Sequence, residues 1–139
     1  MDKDLIRKKL HALTRYVRAL EKFRGLDLKG HSEDLAKVWS VEHGLQLAIQ
    51  IVIDVGNHIL ASIGANQNED YTDVIDRLGE KGIVPAAFAG RIRDMAGFRN
   101  ILVHEYIQVD LGVVSDVVET RLEDFHLFVE HIEAYLNTH

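Results

Sequence analysis

Apolar residues return every three or four positions along almost the whole chain, a spacing that admits helices and little else. Ile6, Leu10, Leu13, Val17 and Leu20 form the first stripe, over residues 3–23. Gly25 and Gly30 then break the pattern. A second stripe starts at Ser32, its expected N-cap, and carries Leu35, Val38, Trp39, Leu45, Ile49, Val52, Ile53, Gly56 and Ile59 or Leu60 as far as Gly64. That helix is longer than most globular ones, which suits a bundle spine or a subunit interface. Residues 64–70 read as a loop, and a short helix follows over Tyr71–Lys81, closed by Gly82. Pro85 opens a fourth helix reaching at least Val103. A last helix from near Ser115 repeats Val117, Val118, Leu122, Phe125, Phe128 or Val129, Ile132 and Leu136. No stretch alternates as a strand pair would. The expected fold is all-α, an up-and-down bundle of four long helices plus one short helix, in a single domain over residues 1–139.

The 139 residues contain no cysteine, which excludes a disulfide framework, a cysteine nucleophile and thiolate metal centres. Net charge is −6, unpromising for a nonspecific DNA binder, but it is unevenly distributed. Residues 1–29 hold nine Lys/Arg against four Asp/Glu, and the remainder seven against 18. A basic segment on an acidic body suits nucleic acid, an acidic partner, or simply a solvated helix face. Met1-Asp2-Lys3-Asp4 lacks the apolar core of a signal peptide. Leu45–Val55, the most apolar stretch, is interrupted by Gln46, Gln50 and Asp54, so no membrane span and a cytoplasmic location are expected.

Eight histidines raise the question of metal. Glu123-x-x-His126 has the spacing of carboxylate-bridged di-iron bundles, but those need two such motifs and two further glutamates. His126 and His131 are expected near the solvent edge of the last helix. Asp54 and His58, four apart, share a helix face and suit a carboxylate–imidazole hydrogen bond. The bland reading is a polar seam within the bundle. The functional one has Asp54 or Asn57 lining a polar cleft with another helix. No phosphate-binding glycine loop and no Gly-x-Ser-x-Gly elbow occurs. No cofactor is expected.

The segment that concentrates chemistry is Phe98-Arg99-Asn100-Ile101-Leu102-Val103-His104-Glu105-Tyr106. A histidine can take a proton from a ribose 2′-hydroxyl or give one to a leaving 5′-oxygen near neutral pH. An arginine stays charged and forks onto a phosphate as negative charge develops. An asparagine orients either group through its amide. Asn100 and His104 share a helix face, whereas Arg99 and His104 lie about 140° apart on a straight helix. Their convergence needs a helix that bends or ends near His104, or a pocket completed by a second subunit. The alternative is a helix end whose polar side chains satisfy carbonyls, with His104 against the helix dipole.

Arg-x4-His-x-Tyr, here Arg99, Asn100, His104 and Tyr106, resembles the signature of HEPN-domain ribonucleases, and more closely that of the HepT toxins. The likeness extends through Leu45–Ile59 and Tyr71–Asp110, roughly residues 35–135 in all. One departure is Glu42-His43, where the family often has Glu-Arg on the second helix. The resemblance implies a HEPN-like bundle and a toxin ribonuclease acting on tRNA or mRNA without metal. Arg99 and His104 would be catalytic and Asn100 supporting. It also implies a homodimer with the RNA cleft between the copies, and an MntA-type nucleotidyltransferase antitoxin that transfers AMP to Tyr106. A catalytically silent HEPN module that only docks the nucleotidyltransferase is the competing expectation.

Overall fold

The computed structural model describes residues 1–103 and 109–139, in which every regular element is a helix. These are α1 (Lys3–Glu21), α2 (Leu35–Ser62), α3 (Tyr71–Glu80), α4 (Ala86–Ile92), α5 (Asp94–Val103), α6 (Leu111–Thr120) and α7 (Leu122–Thr138). The expected all-α bundle is present, with both later helices divided in two. α1 and α2 pack as an antiparallel pair: the backbone N–H of Asp2 meets His58 Nε2 at one end, and Leu20 lies against Gly44 at the other. α7 covers α1, while α3 and α5 cover the opposite side of α2.

Local chemistry sets the helix starts. Asp2, Asp34, Asp70 and Asp110 each turn a carboxylate back onto a backbone N–H of the first turn. The second helix is thus capped by Asp34 rather than Ser32, and the last segment starts at Leu111 rather than Ser115. Gly82, at φ 69°, turns the chain after α3, and Pro85 stands as the residue just before α4.

The stripes read from the sequence form one contiguous core, from Ile6 and Leu10 on α1 through Leu45 to Leu60 on α2 to Phe125, Phe128 and Ile132 on α7. Burying a side chain of this size contributes about 1.5–3 kcal/mol. The start of α2 departs from the expected stripe. Leu35 and Trp39 face solvent, Trp39 with 62% of its surface exposed, while Val38 and Val41 turn inward. The reason is length: the first two turns of α2 run past the end of α1 and have a neighbour on one side only. By length and mean hydropathy (1.3 over its most apolar window) α2 would suffice to cross a membrane, contrary to the reading of Leu45–Val55 alone. Half of that window is buried within the bundle, as expected of its spine.

The two divisions share a cause. α4 ends at Ile92 and α7 begins after Arg121, and the Arg121 guanidinium joins the two breaks. It donates from Nη2 to the freed carbonyl of Arg91 at 3.0 Å and forks onto both carboxylate oxygens of Asp94 at 3.0 and 3.1 Å. Its Nε donates to Asp124 at 2.8 Å. Asp124 is fully buried, and the Arg91 guanidinium lies 2.8 Å from its second oxygen as an ion-pair contact. This lock aims α5, the helix that carries the sequence motif.

Candidate active site

Arg99 lies on the last turns of α5, half-buried, with its guanidinium carbon 5.0 Å from the centre of the Tyr71 ring at the start of α3. A cation over an aromatic face at this distance is held electrostatically, which limits where the fork can swing. Its Nη1 also donates to Asn100 Oδ1 at 3.4 Å, and Asn100 itself is exposed. Nε is buried, and among the described residues it has no hydrogen-bond partner. The structure therefore brings Arg99 and Asn100 together and adds Tyr71, which the sequence reading had not singled out. His104 and Tyr106, the remaining motif residues, lie outside the described residues.

Tyr71 leads into a polar pocket of about 300 Å³ bounded by Asn57 on α2 and by Asn66, Asn68 and Asp70 of the following loop. Asn68 Nδ2 donates to Asn57 Oδ1 at 3.3 Å, and the buried Oδ1 of Asn68 has no partner among the described residues. Of the two readings of this pair of turns, Asn57 follows the second and lines a polar cleft, with the loop and the head of α3 as its other walls, while Asp54 does not. The Asp54–His58 hydrogen bond is not formed. Asp54 accepts from Gln50 Nε2 at 2.9 Å, one turn back, and His58 is engaged by the N–H of Asp2.

The other histidines singled out also have structural partners. His126 Nε2 lies 2.6 Å from Glu21 Oε1 and ties α7 to α1, and the ring of His131 packs against Phe88. Both are half-buried near the solvent edge of α7, beside α1 and α4 respectively.

On its other side, α5 borders an apolar cleft of about 610 Å³, walled by Met95, Phe98, Ile101, Val113, Val117 and Phe125. Ile101 and Val113 stand 42% and 46% exposed at its mouth. Asp94, Asp116, Thr120 and Arg121 form its polar rim. The Arg121 fork holds the Asp94 carboxyl below the usual carboxylate range.

The family model described as Ribonuclease HepT-like matches residues 13–132. The chain is 30% identical over 134 residues to the tRNA nuclease HepT of Aphanizomenon flos-aquae, covering 96% of this chain and 91% of that protein. It is 28% identical to the mRNA nuclease HepT of Shewanella oneidensis, over 94% and 98% of the two chains. Among solved structures, the tri-AMPylated Shewanella oneidensis HEPN toxin in complex with its MNT antitoxin superposes with a TM-score of 0.84 at 28% identity, covering 96% and 99% of the chains. The chain belongs to the HepT-like ribonuclease family.

Proposed function

We propose that this chain is the toxin of a toxin–antitoxin pair: a metal-independent RNA endonuclease, active as a homodimer and silenced when an MntA-type nucleotidyltransferase adenylylates Tyr106. The observation that carries the reading is Arg99, half-buried and stacked on Tyr71 with Asn100 beside it, in a chain similar over most of its length to two HepT nucleases. In this reading the 2′-hydroxyl of a ribose attacks the adjacent phosphorus and the 5′-oxygen leaves, giving a 2′,3′-cyclic phosphate. His104 moves the proton, Arg99 takes the charge developing on the phosphoryl oxygens, and Asn100 orients the arginine through the contact it already makes. The apolar cleft beside α5 supports dimerisation, because it leaves Ile101 and Val113 exposed on the flank of the motif helix. Tyr106 follows His104 by two residues in the sequence, and AMP on its hydroxyl adds bulk and about one negative charge that opposes binding of the substrate phosphate.

The test is cleavage of tRNA and mRNA transcripts by the purified protein. His104→Ala and Arg99→Ala should each lower the rate by at least about a hundredfold with unchanged helical circular dichroism, and EDTA should leave cleavage intact. Co-expression with the nucleotidyltransferase should add mass in whole AMP units to the peptide carrying Tyr106, and Tyr106→Phe should escape it. Cleavage that survives both alanine substitutions overturns the mechanism. Neutralisation without a mass shift overturns the switch.

A further inference from the structure

The outer face of α1 takes no part in the site described above. α1 turns Ile6, Leu10, Leu13, Val17 and Leu20 into the core. Opposite them, Lys8, His11, Arg15, Arg18 and Lys22 are all exposed. They follow the same three-and-four spacing as the buried stripe, so they stand in a single row. From Lys8 to Lys22 the row runs roughly 21 Å at the helical rise. Of the other cations of α1, Arg7 pairs with Glu133, Lys3 donates to the carbonyl of Leu136, and Lys9 lies half-buried in the groove between α1 and α2. Of the acids nearby, Glu21 faces His126, Asp54 accepts from Gln50, and Asp4 heads the row in the first turn of α1.

Like charges one turn apart destabilise a helix by a few tenths of a kcal/mol per pair. The chain carries this cost on α1 while the 110 residues after Lys29 hold 18 acidic groups against seven basic ones. A row of regularly spaced cations matches a ligand whose own charges repeat along a line. An RNA backbone has that property, and a single anionic headgroup does not. Four of its five members are Lys or Arg and only the His11 imidazole is aromatic, which suits contact with phosphates more than stacking on bases. Its position fits as well. Asp2 lies at His58, beside Asn57, so the Lys8 end of the row is at the same end of the bundle as Tyr71 and Arg99. α2 lies between the row and that site, so an RNA touching both passes over this end of the bundle.

We propose that the Lys8–His11–Arg15–Arg18–Lys22 row is a second contact for the RNA substrate, holding the phosphate backbone of a segment that flanks the cut without reading its sequence. The inference rests on the RNA-cleaving function proposed above and deepens it: the substrate is a structured RNA much longer than the few nucleotides at the site. The experiment compares the native row with a row variant carrying Lys8→Gln, Arg15→Gln, Arg18→Gln and Lys22→Gln, each replacement itself a good helix former. Binding is measured on His104→Ala backgrounds, to suppress cutting, by fluorescence anisotropy with a labelled tRNA transcript across a KCl series.

The row variant should bind about tenfold more weakly at 100 mM salt. Its slope of log affinity against log salt should flatten by about three, as expected for four lost phosphate contacts. With His104 present, KM for tRNA should rise about tenfold at unchanged kcat, and cutting of a hexanucleotide should not change. The milder pair Arg15→Glu and Arg18→Glu should reproduce the effect if the fourfold variant folds poorly. Unchanged affinity and salt slope overturn the proposal and leave the row a solvated face. Loss of antitoxin binding with RNA affinity intact also overturns it, assigning the row to a protein partner. A native protein that binds tRNA through the row but cuts no RNA upholds the row and overturns the cleavage reading instead.

Discussion

At the scale of single residues, the arrangement of Arg99 depends on a partner 28 positions earlier in the chain. Tyr71 holds the guanidinium by its ring, so the hydroxyl is dispensable and the ring is not. Tyr71→Phe should therefore cleave RNA like the native protein, while Tyr71→Ala should be about twofold to fivefold slower, the equivalent of about 0.5–1 kcal/mol for a cation–aromatic pair still open to water. Unequal kcat with equal folding stability is the signature to measure. Asp94 gives a pH prediction. Its carboxyl is held below the usual range by hydrogen bonds from Arg121, so the folded state binds this proton less readily than the unfolded chain. The stability it contributes is complete above the ordinary aspartate pKa and is lost as pH falls through the lowered folded value. The carboxylate is largely exposed, so the effect is at most about 1 kcal/mol. Denaturant melts at pH 7 and pH 3 should show a smaller acid loss for Asp94→Asn than for the native chain. None of this was legible in the sequence, which showed Arg99 and Asn100 as chemistry but held no local sign of the residues that position them.

Helices were legible where a periodic stripe met a flanking break, and less so where one side chain reached across the fold. The caps at Asp34 and Asp110 stand within a few residues of where the periodicity places the helix starts. The divisions at Arg93 and Arg121 were invisible, because the apolar spacing continues through both, and only a nonlocal guanidinium makes separate segments stable. Trp39 was misplaced for a related reason: periodicity shows which face is apolar, while the length of the neighbouring helix decides how much of that face is covered. The crossing of α2 and α3 yields an element-scale prediction. A Cβ at Gly56 would sit 2.9 Å from Val74 Cγ1 and 3.0 Å from Leu78 Cδ1, whereas one at Gly90 of α4 meets nothing within 4 Å. Gly56→Ala should cost about 1–3 kcal/mol through forced repacking. Gly90→Ala should gain up to about 1 kcal/mol from helix propensity. Thermal melts of the two variants should move in opposite directions.

For the whole molecule, the prediction concerns assembly. The apolar cleft beside α5 opens on the flank of the motif helix, and a second copy covering it would bury the exposed Ile101 and Val113. Sedimentation velocity at micromolar concentration should give a dimer for the native chain. Ile101→Lys with Val113→Lys, both at exposed positions, should give a folded monomer with cleavage strongly reduced. The Arg121 lock connects this cleft to the interior, since its guanidinium gathers Asp94 at the rim, the end of α4 and the buried Asp124. An ammonium carries three donors and no planar fork, so lysine at this position cannot hold all three segments at once. The helix carrying Arg99 would then keep its aim while the surrounding core is cold and firm and lose it on warming. Position 121 is therefore where a temperature-conditional allele is to be sought: a chain harmless to its host at one growth temperature and toxic at another, with every residue of the motif left as it is.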